Sequence, residues 1–223
     1  MSSDFTGDKK KLNHFLLGIE KKLISFFLPL VPRFIGTRHL TLMTFLWAVL
    51  IIFCGYLAVE NIQWLWGFSV CIFLQYITDM LDGAVGRLRN EGYIKWGFYM
   101  DHFLDYIFLS SVVIGYSFLL PQSFEPFVLV CLAVCGGFMV HFFLDFSITS
   151  EFKISFNSFG VSEARVVMII FNTVVIFMGK DFFAQVFPFI LFTFLSALIF
   201  VIFKSQKFYA SLDMKQLNNK KPD

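Results

Sequence analysis

Residues 79–105 read DMLDGAVGRLRNEGYIKWGFYMDHFLD, and four carboxylates recur in them at helical spacing. Stepping about 100° per residue puts Asp79, Asp82, Gly83, Gly86 and Arg87 on one helical face roughly 140° wide. Gly97, Asp101 and Asp105 step by four and share a second, narrower face. A short turn between two such helices lets the faces meet. Four nearby carboxylates demand counter-charge, and all-oxygen donors favour hard cations, Mg²⁺ first, with Mn²⁺ or Ca²⁺ also suited. Four carboxylates can hold two ions, and two ions clamp both the entering and the leaving oxygen of a phosphoryl transfer. Arg87 offers a planar fork for phosphate oxygens. Glycines on the same face let a bulky ligand approach the backbone. The chemistry these residues suggest is metal-assisted phosphoryl transfer.

The surroundings make the carboxylates more telling. Of 223 residues, 57% are hydrophobic and 15% charged, and Phe alone supplies 33. A soluble domain carries nearer ~25% charged residues. An ordinary cytosolic globule, a disordered chain and a small disulfide scaffold are therefore excluded, and a bilayer is the solvent that fits. Six apolar segments follow one another, at about 40–59, 62–88, 98–119, 127–146, 161–179 and 182–203. Most reach the ~20 residues a spanning helix needs, and their unbroken apolar runs exclude a barrel. The predicted fold is all-α, with six transmembrane helices and an N-terminal interfacial helix. An Asp near mid-bilayer costs on the order of 2.5–3.5 kcal/mol, so four must bring a compensating gain.

Basic residues give the orientation. Of the 18 Lys and Arg residues, all but Lys180 fall on one side of a six-span layout. That side is assigned to the cytoplasm, with both termini and the acidic cluster. Leu12, Phe15, Leu16, Ile19, Leu23, Phe26, Phe27 and Leu30 recur at helical spacing, with Asn13, His14, Glu20, Lys21 and Lys22 between them. This pattern predicts an amphipathic helix over 12–31 lying in the interface, ended by Pro29 and Pro32. The expected organisation is a cytoplasmic N-terminus with its juxtamembrane helix (1–39), a six-helix catalytic domain (40–203) and a basic, solvated tail (204–223). No signal peptide is evident at the basic N-terminus. Cys54, Cys71, Cys131 and Cys135 lie inside apolar runs and read as buried thiols.

The acidic pattern resembles the signature of the CDP-alcohol phosphotransferase family, DxxDGxxAR followed by GxxxDxxxD, with Gly86 in place of the usual Ala. The resemblance implies a membrane enzyme in which an alcohol hydroxyl attacks a CDP-linked donor and CMP leaves. It implies Asp79, Asp82 and Asp101 as ligands of Mg²⁺ or Mn²⁺, two ions in number by the family pattern, and Asp105 as general base and further ligand. Gly83, Gly86 and Arg87 would hold the nucleotide. Arg38-His39-Leu40-Thr41 is similar to the family's NxxT, which brings Thr41 to the donor. Asp101-His102-Phe103-Leu104-Asp105 and Gly160-Val161-Ser162-Glu163 resemble the DHxxD and GPTE segments of choline and ethanolamine phosphotransferases. His102 is then either an acceptor-site group or a hydrogen-bonded structural histidine. Arg165 either binds a substrate phosphate or snorkels to the interface. The resemblance further implies a homodimer, a lipid as one of the two substrates, and no nucleic-acid partner. The short six-helix chain points to a prokaryotic inner membrane. Two other classes compete. A transporter or ion pathway would spread its carboxylates across membrane depth, and an inactive scaffold would need none of them.

Overall fold

A computed structural model describes residues 16–149 and 161–219. The basic N-terminal lysines, the first turn of the predicted amphipathic helix (Leu12, Phe15), Lys153, Gly160, Lys220 and Lys221 lie outside them. The described residues form seven α-helices and two short 3₁₀ turns, and no strand. The helices are α1 (Leu17–Phe27), α2 (Thr37–Leu57), α3 (Trp64–Arg89), α4 (Ile94–Ser117), α5 (Glu125–Thr149), α6 (Val161–Met178) and α7 (Lys180–Asn219). The all-α expectation holds, and each predicted apolar segment corresponds to one of α2–α7.

Five of these helices are long and apolar enough to cross a membrane: α2, α3, α5 with its preceding turn, α6 and α7. The sixth, α4, is 24 residues long but carries Asp101, His102 and Asp105 in its first half, which lowers its hydropathy. Its interior position accounts for the tolerance of those groups, because α4 packs along α2 and against α5. Helix α3 is the axis of the bundle. Of its most apolar window 61% is buried, against 11% for α5 and 17% for α7. The outer helices instead turn side chains such as Leu129, Phe189, Phe192 and Phe203 outward, as a lipid-facing surface requires.

The deep core is Ile51, Phe68, Ile72, Val112, Val175 and Phe187, contributed by α2, α3, α4, α6 and α7. Three cysteines, Cys54, Cys71 and Cys131, are buried free thiols, and Cys135 is half-buried. A second cluster joins Leu40, Ile77, Leu81 and Val85 to Leu23 and Phe27 of α1. Helix α1 thus has one apolar side on the bundle, while Ile19 and Phe26 point away from it and Lys21 and Lys22 are exposed. Within the described residues it runs from Leu17 and yields to a 3₁₀ turn, Leu28–Leu30, with Pro29 inside it. Helix α7 runs unbroken through the expected tail as far as Asn219. At 40 residues and ~1.5 Å rise per residue it is twice as long as a ~30 Å hydrocarbon core.

Short connections fix neighbours. The α3–α4 turn is closed by Asn90, left-handed at φ 54°, and by Gly92 at φ +74°. Asn90 and Glu91 both donate backbone N–H groups to the Gly86 carbonyl, which satisfies the helix end. Helices α6 and α7 are joined by Gly179 alone, at φ +87°. Arg89 pins the α1–α2 connection by donating to the carbonyls of Ile35 (2.6 Å) and Val31 (3.1 Å).

Helices α2 and α4 nearly touch. A Cβ built on Gly55 would lie 2.6 Å from the Gly115 Cα, and one on Gly115 would lie 2.6 Å from a Phe68 ring carbon. Neither backbone nor a fully buried ring can yield cheaply. Gly55→Ala is therefore expected to destabilise the protein by about 1–3 kcal/mol, the usual range for overpacking. Gly18→Ala, on α1 with nothing within 4 Å of the new methyl, should be neutral or stabilising. Unfolding titrations of both variants in detergent check the contrast.

Candidate active site

One end of the bundle gathers the first turns of α2, α4 and α6 with the last turns of α3, and the polar side chains concentrate there. Helix spacing places Asp79 and Asp82 in the second half of α3, and Asp101 and Asp105 in the first half of α4. The chain between them is short enough that both helix ends belong to one site.

Arg165 is the centre of this arrangement. It is 3% exposed, and its Nη2 lies 3.1 Å from Asp79 Oδ2 and 3.4 Å from Asp105 Oδ1. Asp101 is also within its electrostatic reach. Its guanidinium carbon stands 5.7 Å from the Tyr76 ring centre and 5.9 Å from that of Phe108, so two aromatic rings face the cation. Its Nε is buried without a hydrogen-bond partner. Snorkelling is therefore corrected: Arg165 turns inward, because two helices, α3 and α4, present carboxylates and aromatic rings to it.

Asp82 is buried and directed toward α2. Thr41 donates from Oγ1 to Asp82 Oδ2 (2.9 Å), and the Thr37 hydroxyl donates to the Asp82 carbonyl (3.0 Å). Thr41 thus sits beside a site carboxylate. The Gly86 position is shaped by the same pair of helices, since a Cβ there would come 2.8 Å from Thr37 Oγ1. The departure from Ala at this position makes room for the threonine. Gly83 faces the Arg87 side chain, whose Nη1 would be 3.2 Å from an added Cβ. Arg87 itself is exposed, where a ligand can reach it. Gly97 has nothing within 4 Å of its Cβ position and borders open space.

Other residues resolve differently. His102 is buried, and its Nδ1–H donates to the Phe98 carbonyl (2.6 Å) while its ring packs on Phe98 and near Phe143. These contacts hold the ring against the backbone of its own helix. Thr37, Glu91, Glu20 and Tyr76 belong to the site region and carry no motif spacing. Glu91 accepts from the Thr37 backbone N–H at 2.9 Å, placing a carboxylate at the positive end of α2. A depression of about 380 Å³ opens beside it, lined by Gly36, Arg38, His39, Leu42, Glu91 and Tyr93. Arg38 lies over the Tyr93 and Trp96 rings there, at 5.6 and 5.5 Å. Glu91 was readable in principle, as an acidic residue in the turn facing the start of α2; Tyr76 left no signal beyond its place one turn before Asp79.

The donor set bears on a metal ion. Asp79 and Asp105 meet one buried guanidinium, with Asp101 within its reach, so carboxylates outnumber the cation there, and their oxygens suit a hard divalent cation. Among the described residues, no three His, Cys, Asp or Glu side chains are grouped closely enough to hold a metal as they stand. Two contacts account for this: Arg165 stands between Asp79 and Asp105, and Thr41 draws Asp82 toward α2.

Deeper in the bundle the buried polar groups are neutral. Asn172 donates to Ser69 Oγ at 2.9 Å and accepts from the Tyr116 hydroxyl at 2.6 Å. This side-chain network holds α3, α4 and α6 in register below the site.

Comparison with known proteins adds a family. No curated protein and no solved structure matches the chain. Residues 34–208, from the approach to α2 into the extended part of α7, match the CDP-alcohol phosphatidyltransferase family, and that span contains the four carboxylates, Thr41 and Arg165. The chain belongs to the CDP-alcohol phosphatidyltransferase family, integral membrane transferases of phospholipid synthesis.

Proposed function

We propose that the protein transfers a substituted phosphoryl group from a CDP-linked donor to an alcohol hydroxyl, releasing CMP, in a reaction that requires Mg²⁺ or Mn²⁺. The observation that carries this reading is the convergence of Asp79, Asp105 and Arg165 at one end of the bundle, with Asp101 and Asp82 beside them. Asp79, Asp82, Asp101 and Asp105 would hold two ions, which when bound neutralise the pyrophosphate and clamp its oxygens. Gly83 and Gly86 leave the α3 backbone open to the nucleotide, and the exposed Arg87 reaches its phosphates. The depression beside Arg38, Tyr93 and Glu91 is where the nucleoside would lie, flanked by a cation and an aromatic ring. Thr41 holds Asp82 in place by its hydroxyl.

In the transfer, the acceptor oxygen bonds to the phosphorus that bears the donor's alcohol group. The bond from that phosphorus to the CMP oxygen breaks, and CMP leaves with the electron pair. Asp105 takes the hydroxyl proton at its carboxylate as the oxygen attacks. Arg165, already between Asp79 and Asp105, spreads positive charge toward the group being transferred. One substrate is a lipid, reached between outward-facing apolar helices. The resemblance to the choline and ethanolamine branch rests on the sequence of two short segments, and the inward, hydrogen-bonded His102 supports a packing role for its part of that likeness. In the membrane, α4 is the sixth crossing, which brings both termini and the site to the cytoplasmic side of a prokaryotic inner membrane. The active unit is a homodimer. An ion pathway is disfavoured by the neutral, mutually bonded groups below the cluster.

Purified protein should release CMP when given Mn²⁺ or Mg²⁺, a CDP-linked donor and its acceptor, and mass spectrometry of the lipids formed identifies the pair. Chelation should abolish release, and added Mn²⁺ or Mg²⁺ should restore it. No CMP from any pair of CDP-choline, CDP-ethanolamine or CDP-diacylglycerol with acceptor alcohols would refute the assignment.

Asp105→Asn should lower turnover by at least ~10²-fold, at the low end of what a positioned base contributes, while donor binding is largely kept. Unchanged turnover would remove Asp105 from the role of base; isothermal titration with the donor separates binding from chemistry.

A further inference from the structure

Helix α1 is tied to the bundle within one turn of Arg165. Glu20, on α1, accepts at Oε1 from the Tyr76 hydroxyl (3.0 Å) and from Ser162 Oγ (2.5 Å). Glu163, buried, accepts from the Leu16 backbone N–H at 3.1 Å. Tyr76 precedes Asp79 by three residues on α3, and Ser162 precedes Arg165 by three on α6, so each anchor lies one turn from a member of the charged cluster. The ring of Tyr76 serves both sides: its face lies under the Arg165 guanidinium at 5.7 Å, and its hydroxyl reaches Glu20. The guanidinium in turn meets Asp79 and Asp105. Packing reinforces the tie, because Leu23 and Phe27 of α1 rest on the Leu40, Ile77, Leu81 and Val85 cluster.

We propose that Glu20 and Tyr76 are positioning residues that act through Arg165, so that docking of α1 and the setting of Arg165 between Asp79 and Asp105 form one coupled unit. Tyr76 is the shared element. Its ring cannot hold one orientation toward Arg165 independently of a hydroxyl bonded to α1. Coupling of this kind is reciprocal: releasing α1 loosens Arg165, and altering the contacts of Arg165 loosens α1. The outward side of α1, with Ile19 and Phe26 exposed, gives the membrane surface a hold on the same unit.

The exchange half of this inference needs no catalysis, whereas its turnover half rests on the function proposed above. Hydrogen–deuterium exchange of the full chain in detergent reads the coupling without substrate. Arg165→Lys keeps the charge, removes the planar group over Tyr76, and leaves every α1 side chain in place. It should raise exchange of the α1 amides on the order of tenfold, a usual size for coupled sites, with α2 and the middle of α3 unchanged. Asp79→Asn, a milder change at the far side of Arg165, should act in the same direction and serves if the lysine variant does not fold. Unchanged α1 exchange, or a uniform rise in every helix, overturns the proposal. In the turnover arm, Glu20→Gln should lower kcat several-fold per folded molecule while donor KM stays within about twofold. Loss of folded protein with kcat intact would mark Glu20 as merely structural and overturn its role. Absence of turnover in the unaltered protein would count against the proposed reaction and leave the exchange result to decide the coupling.

Discussion

The interior of this bundle is organised around a buried charge that needs partners. A guanidinium in an apolar interior is tolerated only when carboxylates and aromatic faces take the place of water. Arg165 obtains Asp79 from α3, Asp105 from α4, and the rings of Tyr76 and Phe108 from the same two helices. Three helices are thereby obliged to bring particular residues to one level. The carboxylates depend on the arginine just as strongly, since without a cation their mutual repulsion would open that end of the bundle.

Around this centre, neutral contacts set the helix positions more finely. Thr41 and Thr37 bind both ends of Asp82, its carboxylate and its carbonyl, and so register α2 against α3. The Ser69–Asn172–Tyr116 network repeats the task deeper down, among α3, α4 and α6. Polar groups in a membrane interior gain by bonding one another, and here those bonds also define which residues share a level. Family membership is thus matched by an arrangement in which Asp79, Asp82, Asp105 and Gly86 each have a physical neighbour that explains them, Gly86 because the small residue admits Thr37.

Much of this was legible beforehand, for identifiable reasons. Apolar runs near the length of a bilayer core marked all six long helices, because lipid imposes a length that soluble folds do not. The i+3 and i+4 spacing of the aspartates marked the face they share. The role of Arg165 was not legible: an arginine at a helix start has the same local sequence whether it turns outward or inward, and the deciding groups lie more than fifty positions away, on α3 and α4. Tyr76 and Glu20 were hidden for the same reason. Helix α4 was legible as the apolar run 98–119, although the polar groups it carries at the site lower its hydropathy below that of the other long helices.

The contact between Gly55 and Gly115 has a consequence for how α2 and α4 can move. Where two backbones meet with no side chain between them, no rotamer is available to absorb a displacement. A single methyl added there would have to shift one whole helix against the other. Such a shift would also carry Thr41, on α2, away from the level at which it meets Asp82, so a contact far from the charged cluster sets the register of one of its carboxylates.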